Sequence, residues 1–166
     1  MLTDIKNINF TGGVIHIIDT VLTIPQLVSS TAVAANLTSL AGALKTANLV
    51  STVDSLKDVT IFAPSNSAFQ AIGSAIGTLT TAQLSSILTY HVVQGTVGYS
   101  SILSNTTLKA VNGENVTITI EDGSVFVNSA KVVTPNVLIA GGVVHVIDRY
   151  VFSPFSLLFV VSTPTQ

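Results

Sequence analysis

For chemistry the chain offers three histidines (His16, His91 and His145), eight Asp and Glu residues, and no cysteine. A zinc site needs ligands at short, defined spacing, such as a His-Glu-x-x-His helix, and the sequence holds no such cluster. A serine nucleophile needs a base to activate it and a strained turn to present it, and the Gly-x-Ser-x-Gly elbow is absent. Glu114, Glu121 and Asp122 sit at predicted hairpin turns, with no second carboxylate placed to share acid–base work. His145 and Asp148 lie at an odd spacing, as do His16 and Asp19. On a strand, odd spacing points side chains to opposite faces, so neither pair forms a dyad. Gly73 to Gly77 reads as a loop, since a phosphate cradle needs a preceding strand and a different spacing. The expectation is a protein with no catalytic residue, no metal and no cofactor.

The elements around these residues give them structural roles. Leu37, Leu40, Ala41, Leu44 and Ala47 fall at helical spacing, with Asn36 available as a cap. Val59 to Ala63 reads as a short buried strand ended by Pro64, after which Ser65 can cap a helix carrying Ala68, Phe69 and Ile72. Thr80-Thr81-Ala82-Gln83 is a capping box, with Leu79 and Leu84 placed to staple it. The helix that follows carries Leu84, Ile87 and Leu88 inward and delivers Tyr90 and His91 to a helix–strand corner. His91 among Leu88, Val92 and Val93 is expected to be a buried residue bonded to backbone, with a partner contact as the competing role. His145 lies within Val143, Val144, Val146 and Ile147, an apolar run that predicts a central strand covered on both faces. A satisfied structural histidine is expected there. Asn112-Gly113 and Asp122-Gly123 predict hairpin turns with positive φ, and Val116, Ile118 and Ile120 alternate with polar residues between them. Val125 to Asn128, Ala130 to Val133 and Val143 to Ile147 continue the strands. Helices first and strands later give an α+β fold, with N-terminal helices packed on a mostly antiparallel sheet or sandwich.

Composition narrows the setting. Hydrophobic residues make up 48% of the 166 residues, and charged ones only 8%, against about a quarter in most domains. Ser, Thr, Asn and Gln must therefore solvate the surface, which suits an extracellular or cell-wall environment. The six basic residues are scattered and the net charge is −2, so no basic footprint for nucleic acid exists. No apolar run reaches the ~18 residues of a membrane span. The N-terminus has no signal-peptide pattern. Four sequons place candidate N-glycans on Asn9, Asn36, Asn105 and Asn115.

Gly12-Gly13-Val14-Ile15-His16-Ile17-Ile18-Asp19 recurs as Gly141-Gly142-Val143-Val144-His145-Val146-Ile147-Asp148. The offset is 145 − 16 = 129 residues, shared by Asn7 and Asn136 and by Pro25 and Pro154. That is the length of a domain, not of a solenoid repeat. Residues 1–25 are therefore expected to be the last strand of a preceding copy, 26–154 a complete domain, and 155–166 a tail, with a duplicated strand inside one domain as the alternative. A lone apolar strand from Val14 to Leu22 is expected to pair with a sheet edge of the domain or of a neighbouring molecule, giving self-association.

Val59-Thr60-Ile61-Phe62-Ala63-Pro64-Ser65-Asn66-Ser67-Ala68-Phe69 resembles the first signature box of fasciclin domains, and Gly141 to Asp148 the second. Leu84 to Val93 is similar to that family's central Tyr-His segment. In order and spacing the three cover the chain from about Leu37 to Pro154, and the Ser/Thr-rich style is similar to fungal members. The resemblance implies Phe62, Pro64, Phe69, Gly142, His145 and Asp148 as structural signature residues. It implies a secreted or surface-anchored adhesion module, binding a protein or polysaccharide at the cell surface or matrix. In animal members the Tyr-His segment and a Glu-Pro-Asp-Ile-Met stretch are linked to integrin binding. Tyr90 and His91 match the first. At the second this chain has Thr134-Pro135-Asn136-Val137-Leu138, and the loss of both acidic positions puts an acid-dependent integrin contact in doubt. Tyr90, His91, Pro135 and Asn136 are thus the candidate partner contacts. A carrier of small apolar ligands, using a cleft beside the helices, is the alternative.

Overall fold

The computed structural model describes residues 7–18 and 21–151. Asp19, Pro154 and the tail 155–166 lie outside the described residues. The body begins with three short helices, α1 (Val28–Ala34), α2 (Thr38–Thr46) and α3 (Val50–Ser55). Strand β3 (Val59–Pro64) follows, then α4 (Asn66–Ala71), α5 (Gly73–Ile76) and α6 (Thr81–Tyr90). The remaining strands are β4 (Val92–Gln94), β5 (Thr106–Lys109), β6 (Asn115–Glu121), β7 (Ser124–Val127), β8 (Ala130–Ile139) and β9 (Gly142–Ile147). An N-terminal hairpin, β1 (Asn7–Phe10) and β2 (Gly13–His16), stands apart as its own two-stranded sheet.

Seven strands form one ladder in the order β4-β3-β9-β8-β7-β6-β5. Every neighbouring pair is antiparallel except β3 and β9, which run parallel from Val59 opposite Gly142 to Pro64 opposite Ile147. The ladder curls until its ends meet: Val93 bridges Ala110, and the Val111 N–H donates to the Val92 carbonyl at 2.8 Å. Closing in this way satisfies edges that would otherwise invite another chain.

Alternation along β3 and β9 splits the core in two. Val59, Ile61, Ala63, Val144 and Val146 face the helices and join Leu40, Leu44, Leu84 and Leu88. Phe62 and Ile147 face the inside of the curl, with Tyr90, Val116, Ile118 and Val127. Burial on both faces is what a central strand requires, and it favours each large aliphatic side chain by ~1.5–3 kcal/mol over exposure. The α+β architecture, with helices on one side of a mostly antiparallel sheet, matches the sequence expectation. Among the described residues no helix is long and apolar enough to cross a membrane.

The caps decide where helices start. Thr80 and Gln83 form the capping box, and Ser65 accepts from the Ala68 N–H at 3.3 Å. Asn36 does not cap α2. It adopts a left-handed backbone (φ 57°), and Asn66 takes over from 30 residues away: its side chain donates to the Asn36 carbonyl at 2.7 Å and accepts the Ser39 N–H at 3.1 Å. Gly73 to Gly77, expected as a loop, contains the short helix α5. Asp122 and Gly123 both have positive φ, as a tight hairpin needs, whereas at Asn112-Gly113 only the glycine does (φ 92°). The five-residue link there is closed by Asn112 accepting the Glu114 N–H at 3.1 Å.

The N-terminal segment is a hairpin, not a lone strand. Three of its four pairs repeat the β8–β9 hairpin at the 129-residue offset: Ile8 faces Ile15 as Val137 faces Val144, Asn9 faces Val14 as Leu138 faces Val143, and Phe10 faces Gly13 as Ile139 faces Gly142; the fourth, Asn7 with His16, falls where β8 bulges. It does not join the seven-stranded ladder, so the expected pairing with the domain's own sheet edge is not what the chain does. Its partner strand lies in its own sequence.

Candidate functional site

His91 is the corner of the fold. Its ring is buried at the C-cap of α6. Nδ1–H donates to the Ile87 carbonyl at 2.8 Å, and Nε2 accepts the Val151 N–H at 3.1 Å. The tautomer follows, because a carbonyl can only accept and an amide N–H only donate. Tyr150 packs edge-on against the ring at 4.7 Å, and Phe69 packs edge-on against Tyr150 at 5.0 Å. Burial pushes the imidazole from its ordinary 6.5 to about 4. Tyr90 is also interior: its hydroxyl donates to the Asn115 carbonyl at 2.8 Å and accepts from Asn128 Nδ2 at 3.0 Å. Burial pushes this phenol above its ordinary value, although the Asn128 bond works the other way. At 1% and 4% exposure neither Tyr90 nor His91 can meet a partner. The corner is a clasp between α6 and the strands. Tyr90→Phe is expected to cost roughly 1–3 kcal/mol, by stranding the Asn128 amide and the Asn115 carbonyl. A urea midpoint unchanged from wild type would refute that role.

His145 is the second clasp, and it reaches a surface. Fully buried, it stacks on Phe62 with centroids 5.8 Å apart. Nε2–H donates to the Gly98 carbonyl at 2.7 Å, and the Gly98 N–H donates to Thr60 Oγ1 at 2.8 Å. Thr60 Oγ1 in turn donates to the Thr96 carbonyl at 2.7 Å. The Asn136 N–H approaches Nδ1 at 3.5 Å, the limit of a hydrogen bond. Burial lowers the pKa of His145, and the Gly98 contact only partly offsets this. One neutral ring thus fixes loop 95–105 from beneath and touches the kink in β8.

That kink carries Thr134, Pro135 and Asn136. Register shifts bracket it, between Val132 and Thr134 and between Thr134 and Val137. Proline cannot donate to a ladder, and Asn136 takes a left-handed φ of 61°, so the strand bulges there. Asn136 then ties the bulge to the loop: it accepts the Ser100 N–H at 2.9 Å and donates to Ser100 Oγ at 2.7 Å. Loop and bulge form one exposed ridge. Ile102 stands out at 68% exposure, held in a turn by its N–H donating to the Tyr99 carbonyl at 2.9 Å. No Asp, Glu, Lys or Arg occurs in 95–105 or 133–138. Sequence reasoning found Pro135 and Asn136 but missed loop 95–105; the Gly-rich run after β4 was its only trace.

The structure separates the four candidate contacts into two buried residues and two exposed ones. Of the signature residues, Phe62 and His145 face each other across β3 and β9, and Phe69 lies in the helical core. Gly142 lies flush on Val59, where a Cβ would overlap the Val59 carbonyl oxygen. Asp148 accepts the Lys131 N–H at 2.9 Å and pairs with Arg149 at 3.2 Å, apart from His145 as its spacing requires. Burial opposes its ionisation, but those bonds outweigh it and hold its pKa below the ordinary carboxylate value. The sequon residues Asn9, Asn36, Asn105 and Asn115 are all exposed. Among the described residues no three His, Asp or Glu side chains come together as a metal site would need.

On the helical side, α1, α2 and α3 enclose an open groove of about 430 Å³, lined by Ser29, Val33, Ala41, Leu44, Lys45 and Val50. Asp54 is held behind it by the Ser29 N–H and hydroxyl, at 2.9 and 2.6 Å.

Known proteins place this geometry. The fasciclin domain model matches residues 35–153. A fasciclin-like arabinogalactan protein of Arthroderma benhamiae is 44% identical over 137 residues, covering 82% of this chain and 32% of that protein. One from Cercospora beticola is 35% identical, covering 86% of this chain and 38% of its own length. Immunogenic protein MPB70 of Mycobacterium bovis is 38% identical over 110 residues, covering 64% of this chain and 55% of that protein. The solved FAS1 domain pair of the insect cell adhesion molecule Fasciclin I superposes with a TM-score of 0.69 at 20% identity, covering 90% of this chain and 59% of that one. The chain therefore spans about a third of the length of the two fungal relatives. With both signature boxes folded together on the β3–β9 pair, this chain belongs to the fasciclin domain family.

Proposed function

We propose that the chain is a non-enzymatic adhesion module of a secreted or surface-anchored tandem protein, and that it binds through the ridge above His145. The observation carrying this reading is the ridge itself: an uncharged, exposed loop and bulge clamped from below by buried hydrogen bonds. Binding surfaces are commonly loops held by a rigid scaffold. The fungal relatives' names and the insect adhesion molecule support the adhesion reading. With no charge on the ridge, recognition rests on hydrogen bonds and apolar contact, which suits a cell-wall polysaccharide or an uncharged protein face. Attachment should therefore change little between low and physiological salt. Glycan-array binding and cell attachment of the glycosylated protein test the proposal. Ile102→Glu with Pro135→Glu is expected to reduce binding about tenfold while the melting temperature holds. Absence of binding above background in both assays would overturn it.

A second reading follows from the helical groove, whose volume lies within the ~300–1,000 Å³ of small-molecule sites. A small amphiphile could lie against Val33, Leu44 and Val50 with its polar end at Lys45. Native mass spectrometry decides this: a co-purified apolar species of one mass supports a carrier, and repeated bare protein excludes it.

A further inference from the structure

We infer that the β1–β2 hairpin is a docking element shaped to receive a parallel strand of β3 type from a preceding fasciclin body. This rests on the tandem reading and not on adhesion. The chain holds two equivalent hairpins in different surroundings. In the second hairpin Val143, Val144, Val146 and Ile147 are at most 8% exposed, because β3 and the helices cover them. In the first, the matching Val14, Ile15, Ile17 and Ile18 are 43–56% exposed. Gly13 and Gly142 share one backbone conformation, with φ of 155° and 158°. At Gly142 the space of a Cβ is filled by the Val59 backbone, whereas at Gly13, among the described residues, only the ring of Phe10, its own hairpin partner, comes within 4 Å. The glycine is thus set for a backbone carbonyl that the described residues do not place there. Apolar residues on both faces of Gly13–Ile18 call for cover on both, as a central strand has.

The occupant follows from the register. β3 pairs with Gly142 to Ile147, so the incoming strand pairs with Gly13 to Ile18, its first residue placing a carbonyl over Gly13. An aromatic at the Phe62 position would lie beside His16, as Phe62 lies beside His145. A second copy of this chain does not fit, because its β3 is already flanked by β4 and β9.

A chimera provides the test. Residues 26–135 are joined directly ahead of residues 7–166, so that the hairpin replaces 136–145 in an upstream body. The control joins 26–154 to 26–166 and keeps the native hairpin. Hydrogen exchange of the 13–18 amides in the chimera is expected to slow on the order of a hundredfold relative to the unfused chain. Gly13→Val should abolish that protection. In the unfused chain the same substitution should leave the domain's melting temperature unchanged. The proposal is overturned if the control folds as two modules while the chimera's hairpin exchanges as in the unfused chain. It is also overturned if Gly13→Val lowers the unfused chain's melting temperature, or if that chain protects its hairpin by dimerising. The adhesion assays are independent of all these readouts, and the upstream coding sequence tests the tandem arrangement separately.

Discussion

Gly142→Ala is expected to lower the stability of the domain by at least ~3 kcal/mol, a large share of the roughly 5–15 kcal/mol typical of a domain. A Cβ at this position collides with the backbone of Val59, not with the end of a flexible side chain that could turn away. Relief would require β3 and β9 to separate, and they cannot separate locally. The Val59 N–H donates to the Gly141 carbonyl at 3.0 Å, and the Ser65 N–H donates to the Ile147 carbonyl at 3.0 Å, pinning the pair at both ends. The helices press on one face of the pair and the inner core on the other. Gly141 is held in the same way, its Cβ position meeting the Leu56 carbonyl oxygen. Gly42→Ala provides the contrast: it lies within α2, where among the described residues nothing beyond its own helix backbone and chain neighbours comes within 4 Å of a new Cβ, and should stabilise by ~0.5–1 kcal/mol. Thermal melts of the two variants should therefore move in opposite directions. A Gly142→Ala protein melting within a degree or two of wild type would refute the close-approach account.

The glycine pair also shows what a sequence makes legible. A repeated Gly-Gly-Val-x-His-x-Ile-Asp pattern marks a strand that must be approached closely, but the approaching group is 83 residues away, and no local pattern names it. Features set within one turn of chain were readable: the Thr80–Gln83 box, the Ser65 cap, the Asp122-Gly123 hairpin and the alternation of β6. Features set across the fold were not. Asn66 displaces Asn36 as the cap of α2 because its side chain crosses from α4 and serves both the Asn36 carbonyl and the Ser39 N–H. The sequence pattern carries β8 only from Ala130 to Val133, whereas the strand runs on to Ile139 through Pro135. The structure absorbs the proline in a bulge that Asn136 and Ser100 tie to a loop. The strand Asn7–Phe10 is four residues long and half asparagine, a residue depleted in strands, so its alternation is a weak signal. Only its offset of 129 residues from Asn136–Ile139 could have exposed it. The ridge was therefore half-visible, with its bulge in the sequence and its loop only in the fold.

Acid should unfold this domain through its clasps. His91 takes a proton near pH 6.5 when unfolded and only near pH 4 when folded. Its contribution is complete above pH 6.5. As the pH falls the unfolded chain binds a proton that the folded one refuses, so stability drops through the window and levels off below about pH 4. At ~1.4 kcal/mol per pH unit, that gap amounts to roughly 3 kcal/mol. The cause is geometric as well as dielectric. A second proton would sit on Nε2, which accepts the Val151 N–H, so two N–H groups would face each other in the core. His145 adds to the same slope, since its pKa is also lowered. Asp148 extends the loss to lower pH, because its carboxylate must give up Lys131 and Arg149 when protonated. Urea unfolding from pH 7 to pH 4 should show the decline, and His91→Gln should reduce its slope by close to one proton. Glutamine keeps a donor for the Ile87 carbonyl and an acceptor for the Val151 N–H, yet does not titrate. If the variant retains the wild-type slope, His91 is not the group that titrates. If it loses the slope but keeps attachment at neutral pH, the clasp holds the fold and the ridge above His145 remains free to bind.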